Sequence, residues 1–127
     1  MAEGQDRRTA LLVEDEILVT MVAEENLRSI GFDPVCVMTA VEALATLAQD
    51  VNLALAIIDV GLPDMRGDDL AAQAREKSPG LPIVLATGYD SSPLSRRFAG
   101  DAGIVILGKP YSEHDLRQAI ASLGLTV

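Results

Sequence analysis

The chain has 127 residues, 49% hydrophobic and only 3% aromatic, with one cysteine and a formal net charge of −9. This composition excludes a disordered chain and supplies an aliphatic core sufficient for one domain over residues 1–127. The acidity argues against a nucleic-acid partner, because phosphate contacts need clustered Lys and Arg, and the only basic pairs here are Arg7-Arg8 and Arg96-Arg97.

Met1 to Thr9 is polar and charged, so no signal peptide is read, and no apolar run reaches the roughly 18 residues of a membrane span. A cytoplasmic protein without a membrane partner is expected. Thr9 to Val13 is a short apolar run ending in Glu14-Asp15-Glu16, the pattern of a buried strand with acids at its mouth. From Ile17 to Ile30 the residues Val19, Val22, Ala23, Leu27 and Ile30 recur at helical spacing, and Gly31 stops the helix. Ile17, Leu18 and Met21 fall beside or outside that stripe, close to the acidic mouth.

Phe32 to Val37 reads as the second strand, and Pro34 puts it at an edge, since proline cannot donate to a ladder. Cys36 has no second cysteine for a disulfide or a metal site and packs there as a small hydrophobe. Thr39 caps a second helix with the predicted apolar face Val41, Leu44, Ala45 and Leu47 or Ala48, ending near Gln49-Asp50.

Ala54 to Ile58 is a third strand, apolar on both faces, which ends in Asp59 and then Gly61, Leu62 and Pro63. A lone Asp after a strand is more often a turn residue than a functional one. Gly67-Asp68-Asp69 opens a third helix carried by Leu70, Ala71 and Ala74 and ending near Lys77. Leu81 to Ala86 is the fourth strand, ending in Thr87-Gly88-Tyr89-Asp90; Ser91, Ser92 and Pro93 start a short helix through Phe98, stopped by Gly100. Ala102 to Gly108 is the fifth strand, ending in Lys109-Pro110, and Ser112 with Glu113 and Asp115 caps a last helix through Leu116, Ala119, Ile120 and Leu123.

Strands alternating with helices make the sheet parallel, with helices on both faces. Right-handed crossovers and an edge position for the second strand give a doubly wound α/β fold, flavodoxin-like, of five strands in the order 2-1-3-4-5 and five helices.

In such a sheet all strand carboxyl ends lie along one edge, so Glu14, Asp15, Asp59, Thr87 and Lys109 converge on one patch. Three carboxylates together are costly unless a cation and a lysine offset them. An oxygen-only acidic cluster suits Mg²⁺, which leaves room for a phosphoryl group. A carboxylate beside Mg²⁺ and Lys is also a competent nucleophile towards phosphorus. The Thr87 hydroxyl and the Lys109 ammonium could then bond the phosphoryl oxygens.

From Leu11 to Leu123 the chain resembles the receiver domain of two-component response regulators. The matching residues are Glu14-Asp15 after the first strand, Asp59 with Leu62-Pro63 and Gly67 behind it, Thr87-Gly88 after the fourth strand and Lys109-Pro110 after the fifth. The resemblance implies that Asp59 is the phosphoacceptor, taking its phosphoryl group from a phosphohistidine of a histidine kinase or histidine phosphotransfer protein. It implies that Mg²⁺ is held by Glu14, Asp15, Asp59 and the backbone carbonyl of Gly61, while Thr87 and Lys109 bind the phosphoryl group. Ile17, Leu18 and Met21, with Pro110 and Tyr111, would form the surface that docks the partner's helices. Output would go to a downstream protein by contact, and such domains can homodimerise through their fourth and fifth strands and helices. The chain would not be an enzyme in the ordinary sense, although it would catalyse its own phosphorylation and dephosphorylation.

Two features depart from the common pattern. Receivers usually carry Phe or Tyr three residues before the lysine, and here that position is Ile106. The run Pro82 to Tyr89 is similar to the motif of FAT GUY receivers, which also lack that aromatic, with Leu85 standing where their Phe would be. In these, Gly88 and Tyr89 are candidates for reporting phosphorylation, against a plain surface role for Tyr89. His114, the only histidine, reads as a surface residue of the last helix rather than a phosphodonor.

Three other readings compete. A phosphatase of the haloacid dehalogenase type needs an acid two residues after its nucleophile, where this chain has Gly61; no Gly-x-Gly-x-x-Gly or phosphate loop follows any strand. A receiver-like interaction module independent of phosphorylation is the third. The start at Met1 and the end four residues after Leu123 fit a stand-alone regulator without an output domain; the alternative is a receiver cut from a hybrid histidine kinase or larger regulator.

Overall fold

The computed structural model describes residues 7–49 and 52–127. The elements run β1 (Arg8–Val13), α1 (Ile17–Ile30), β2 (Phe32–Val37), α2 (Ala40–Leu47), β3 (Leu53–Asp59), α3 (Gly67–Lys77), β4 (Ile83–Thr87), α4 (Ser92–Arg97), β5 (Ile104–Gly108) and α5 (Glu113–Ser122). The sheet is parallel throughout, in the order β2-β1-β3-β4-β5. The α/β class, the strand order and the five helices thus agree with expectation. The polar start at Met1–Asp6 and the helix end at Asp50 lie outside the described residues.

Alternation along each strand divides the core into two layers, because successive side chains leave a strand on opposite faces. Leu11, Val13, Ala56, Ile58, Ile83 and Leu85 pack against Ala40 and Ala43 of α2, Leu70, Ala71 and Ala74 of α3 and Leu94 of α4. Ala10, Leu12, Leu55, Ile57 and Val84 pack against Ala23, Leu27 and Ile30 of α1 and Leu116, Ala119 and Ile120 of α5. The unbroken apolar runs of the central strands follow from having helices on both sides.

Helix ends obey local chemistry. Gly31 takes φ +116°, the left-handed conformation that lets it close α1 onto the carbonyls of Leu27 and Arg28. Thr39 accepts the Glu42 amide, and Ser112 and Asp115 form a reciprocal capping box on α5. Ser91 precedes α4 without a side-chain cap; the Asp90 carboxylate accepts the Ser92 amide instead.

Several side-chain expectations are corrected. Val22 is 59% exposed, because the first turns of α1 stand beside the chain at Pro110 rather than on the sheet. On α2 the buried residues are Ala40 and Ala43, with Leu44 and Leu47 half-buried; Val41, Ala45 and Ala48 face out. Small residues there let the helix lie close to the sheet. Strands β4 and β5 start at Ile83 and Ile104, later than read: Pro82 has no amide to pair, although its carbonyl accepts the Ala56 amide, and Gly103 lies in the preceding turn. Edge strand β2 tolerates Pro34 opposite Ala10, and Cys36 is half-buried with its thiol donating to Glu24 Oε2 at 3.1 Å. Burial, reinforced by Glu24, pushes that thiol up to about 12.

Candidate functional site

Four strands deliver their last residues to one edge of the sheet. Glu14 follows β1 and is 3% exposed, Asp59 ends β3 at 6%, and Thr87 ends β4 at 3%. Lys109 follows β5, its amide donating to the Thr87 carbonyl at 2.8 Å. The ammonium reaches back across the sheet: Lys109 Nζ lies 3.1 Å from Glu14 Oε1, 3.1 Å from Asp59 Oδ1 and 3.6 Å from Glu16 Oε1. Glu14, Asp15 and Asp59 each place a carboxylate oxygen within 4.8 Å of the others.

The electrostatics follow from this crowding. Burial raises the Glu14 carboxyl above its ordinary range, Asp59 adds to the rise, and the Glu16 amide and Lys109 oppose it only in part. Burial works against the Lys109 ammonium, yet its bonds to Asp59 and Glu14 outweigh that and hold its pKa above the ordinary lysine value. Tyr111 lies behind the cluster, and burial, with Glu14 next in effect, pushes its phenol up to about 12.

The two acids after β1 are engaged differently. Glu14 Oε1 accepts from Lys109 and Oε2 accepts the Glu16 amide at 3.1 Å. Asp15 makes no hydrogen bond or ion pair among the described residues and is half-exposed. The donor set is oxygen only, with one carboxylate free and the others buried beside a single lysine, which fits Mg²⁺.

Above Asp59 lies a cleft of about 330 Å³ bounded by Glu16, Gly61, Gly88, Tyr89 and Lys109. Thr87 Oγ1 accepts the Tyr89 amide at 3.1 Å, and the Tyr89 side chain stands 81% exposed at the rim. Gly67 makes the floor possible. Its amide donates to the Val60 carbonyl at 2.8 Å, and a Cβ there would stand 2.0 Å from the Asp59 carbonyl oxygen. Only glycine lets the start of α3 approach the backbone of Asp59 so closely.

The residues read as a docking surface also come together. Ile17, Leu18 and Met21 are exposed, and a groove of about 470 Å³ runs between Leu18, Val19, Val22 and Ala23 on α1 and Lys109, Pro110 and Tyr111. Ile17 and Met21 flank it outside the lining. Tyr111 forms a half-buried wall of it. His114 is exposed.

Sequence reasoning missed two polar anchors next to the site. Asp64 accepts the amides of Ala40 and Val41, each at 2.9 Å. Asp68, buried at 5%, takes Arg66 Nε at 3.0 Å and an Arg97 guanidinium N–H at 2.8 Å. Both pairs span 23 residues or more except for Arg66, so no local periodicity marks them.

No described helix is long and apolar enough to cross a membrane. The model of the response regulator receiver domain matches residues 10–121. Among curated proteins, the chain is 27% identical to nodulation protein W of Bradyrhizobium diazoefficiens over 94% of its own length and 52% of that protein. It is 29% identical to the sensor kinase CckA of Brucella abortus over 91% of its length but 12% of the kinase. The chain therefore spans about half, or much less, of these relatives. A crystal structure of a CheY-like response regulator receiver domain protein from Methanospirillum hungatei JF-1 superimposes with a TM-score of 0.81 at 29% identity, covering 91% of this chain and 92% of that one. With its strand order, acidic edge and bridging lysine, the chain belongs to the response regulator receiver domain family of two-component signalling.

Proposed function

We propose that this receiver is a phosphorylation-controlled switch in which Asp59 takes a phosphoryl group from a phosphohistidine on a histidine kinase or histidine phosphotransfer protein. The observation that carries the reading is Lys109 Nζ, 3.1 Å from both Asp59 and Glu14 in a nearly buried pocket beneath an open cleft. An Asp59 oxygen attacks phosphorus, the phosphorus–nitrogen bond breaks and the imidazole leaves with the bonding pair. Lys109 stays within reach of the phosphoryl oxygens. The Thr87 hydroxyl accepts from Tyr89, so its own proton is free to be donated to the same group. Water later attacks phosphorus and releases phosphate, which makes the chain its own slow phosphatase and not an enzyme acting on a separate substrate.

Asp15, Asp59 and the Gly61 carbonyl would hold Mg²⁺, with Glu14 beside them held by Lys109 and the Glu16 amide. Mg²⁺ supplies charge neutralisation on the transferring phosphoryl oxygens when bound. The groove between α1 and Pro110-Tyr111, with Ile17, Leu18 and Met21 around it, suits a helix carrying the donor histidine. Output passes by protein contact.

Incubation with Mg²⁺ and acetyl phosphate, read by intact mass, tests this. One added phosphoryl group is expected for the natural chain and none for Asp59→Asn or in the presence of chelator. No labelling under conditions that label other receivers would leave an interaction module independent of phosphorylation.

A further inference from the structure

The loop between Asp59 and α3 carries the Gly61 carbonyl, and its inner end is fixed by the Gly67 to Val60 hydrogen bond and the antiparallel bridge between Gly61 and Arg66. Its outer end is held by another element. Asp64 Oδ1 accepts the Ala40 amide and Oδ2 the Val41 amide, both at 2.9 Å, at the first two positions of α2. These are amides a helix start leaves without partners, and α2's own cap, Thr39, takes only the Glu42 amide.

The start of α2 is in turn joined to the acidic pair. The Glu14 amide donates to the Val37 carbonyl at 3.1 Å, and the Met38 amide donates to Glu42 Oε1 at 2.9 Å. A short backbone span, 37 to 41, therefore connects the loop bearing Glu14 and Asp15 to the loop bearing Gly61. Asp64 is the link that completes it.

We propose that Asp64 is a positioning residue for the metal site: by holding the β3–α3 loop to the first turn of α2, it sets the separation of the Gly61 carbonyl and Asp59 from Glu14 and Asp15, and with it the affinity for Mg²⁺. This rests on the metal reading above. Asp64 touches none of the site oxygens and acts only through the backbone it holds, as groups behind a metal's ligands commonly do.

The test is a Mg²⁺ titration of the full chain followed by amide NMR shifts, on the natural protein, Asp64→Ala, Asp64→Ser and Thr39→Ala. Thr39→Ala removes the other cap of the same helix without touching the loop. Asp64→Ala should weaken Mg²⁺ binding about tenfold, and Asp64→Ser, which keeps one acceptor, should fall between. Thr39→Ala should lose comparable thermal stability with affinity within about twofold of the natural chain. Equal Mg²⁺ affinity in Asp64→Ala and the natural chain, or an equal weakening in Thr39→Ala, overturns the proposal while leaving the metal site in place. No Mg²⁺ response in the natural chain overturns the metal reading and the proposal together.

Discussion

On the β1–β3 side of the molecule, Asp59 ends a strand whose last five residues are all buried, and the turn behind it is closed by Gly67 and Asp64. Beyond the fully buried β4, on the α4–β5 side, α4 is six residues long and buries Leu94 alone, and β5 has no fully buried residue. Charge does much of the holding there. Arg97 ties α4 to Asp68 and Asp69, each at 2.8 Å, and Arg75 ties the end of α3 to Asp101 and to the carbonyls of Ser78, Pro79 and Leu81. Close packing resists small displacements, whereas partly exposed ion pairs are weak and screened by salt. A change of charge at Asp59 is therefore expected to be taken up around α4 and the exposed Tyr89 rather than in the buried β4.

The largest effect should come from breaking the rigid side. Gly67→Ala forces a methyl to within 2.0 Å of the Asp59 carbonyl oxygen as the backbone stands, so α3 must move. A loss of about 3 kcal/mol in urea unfolding is expected, together with slower labelling by acetyl phosphate. Unchanged stability would mean that this side is not rigid.

Arg97→Ala tests the other half and should cost less, about 1 kcal/mol, since the Arg97 side chain is 39% exposed and Asp68 keeps Arg66. Amide exchange should quicken in Ser92–Phe98 and stay slow in Leu53–Asp59. Quickening in both regions alike would erase the contrast.

The smallest effect is a slope in pH. Burial holds the Glu14 carboxyl above its ordinary value of 4.5, so the native state binds that proton more tightly than the unfolded chain does. In chelator, the stability this confers is complete below pH 4.5 and is lost as pH rises through the raised native value. Glu14→Gln should remove the decline and lift Tm near pH 7 by about 2 °C. An unaltered slope would show that Lys109 compensates the Glu14 charge in full.

The strand ends were legible in the sequence because each apolar run stops at a polar residue, and a parallel sheet gathers such stops on one edge. That gathering is why Glu14, Asp59, Thr87 and Lys109 are found together. Helix facing was less legible. Val41 and Leu44 outrank Ala40 and Ala43 on any hydropathy pattern, yet close approach to the sheet favours the alanines. The stripe through Val22 continues past the edge of the sheet and lines a groove instead. Asp64 and the pairing of Asp68 with Arg97 had no signal of their own, because their partners are distant in the chain and chosen by the fold.

Cys36, half-buried and hydrogen-bonded to Glu24, has a practical side. Burial and the Glu24 carboxylate hold its pKa up, which disfavours the thiolate, the form that alkylating reagents meet. A cysteine introduced at Tyr89, on the exposed rim of the cleft, would then react in preference to Cys36, and a spin or fluorescent label could be directed there with Cys36 left in place.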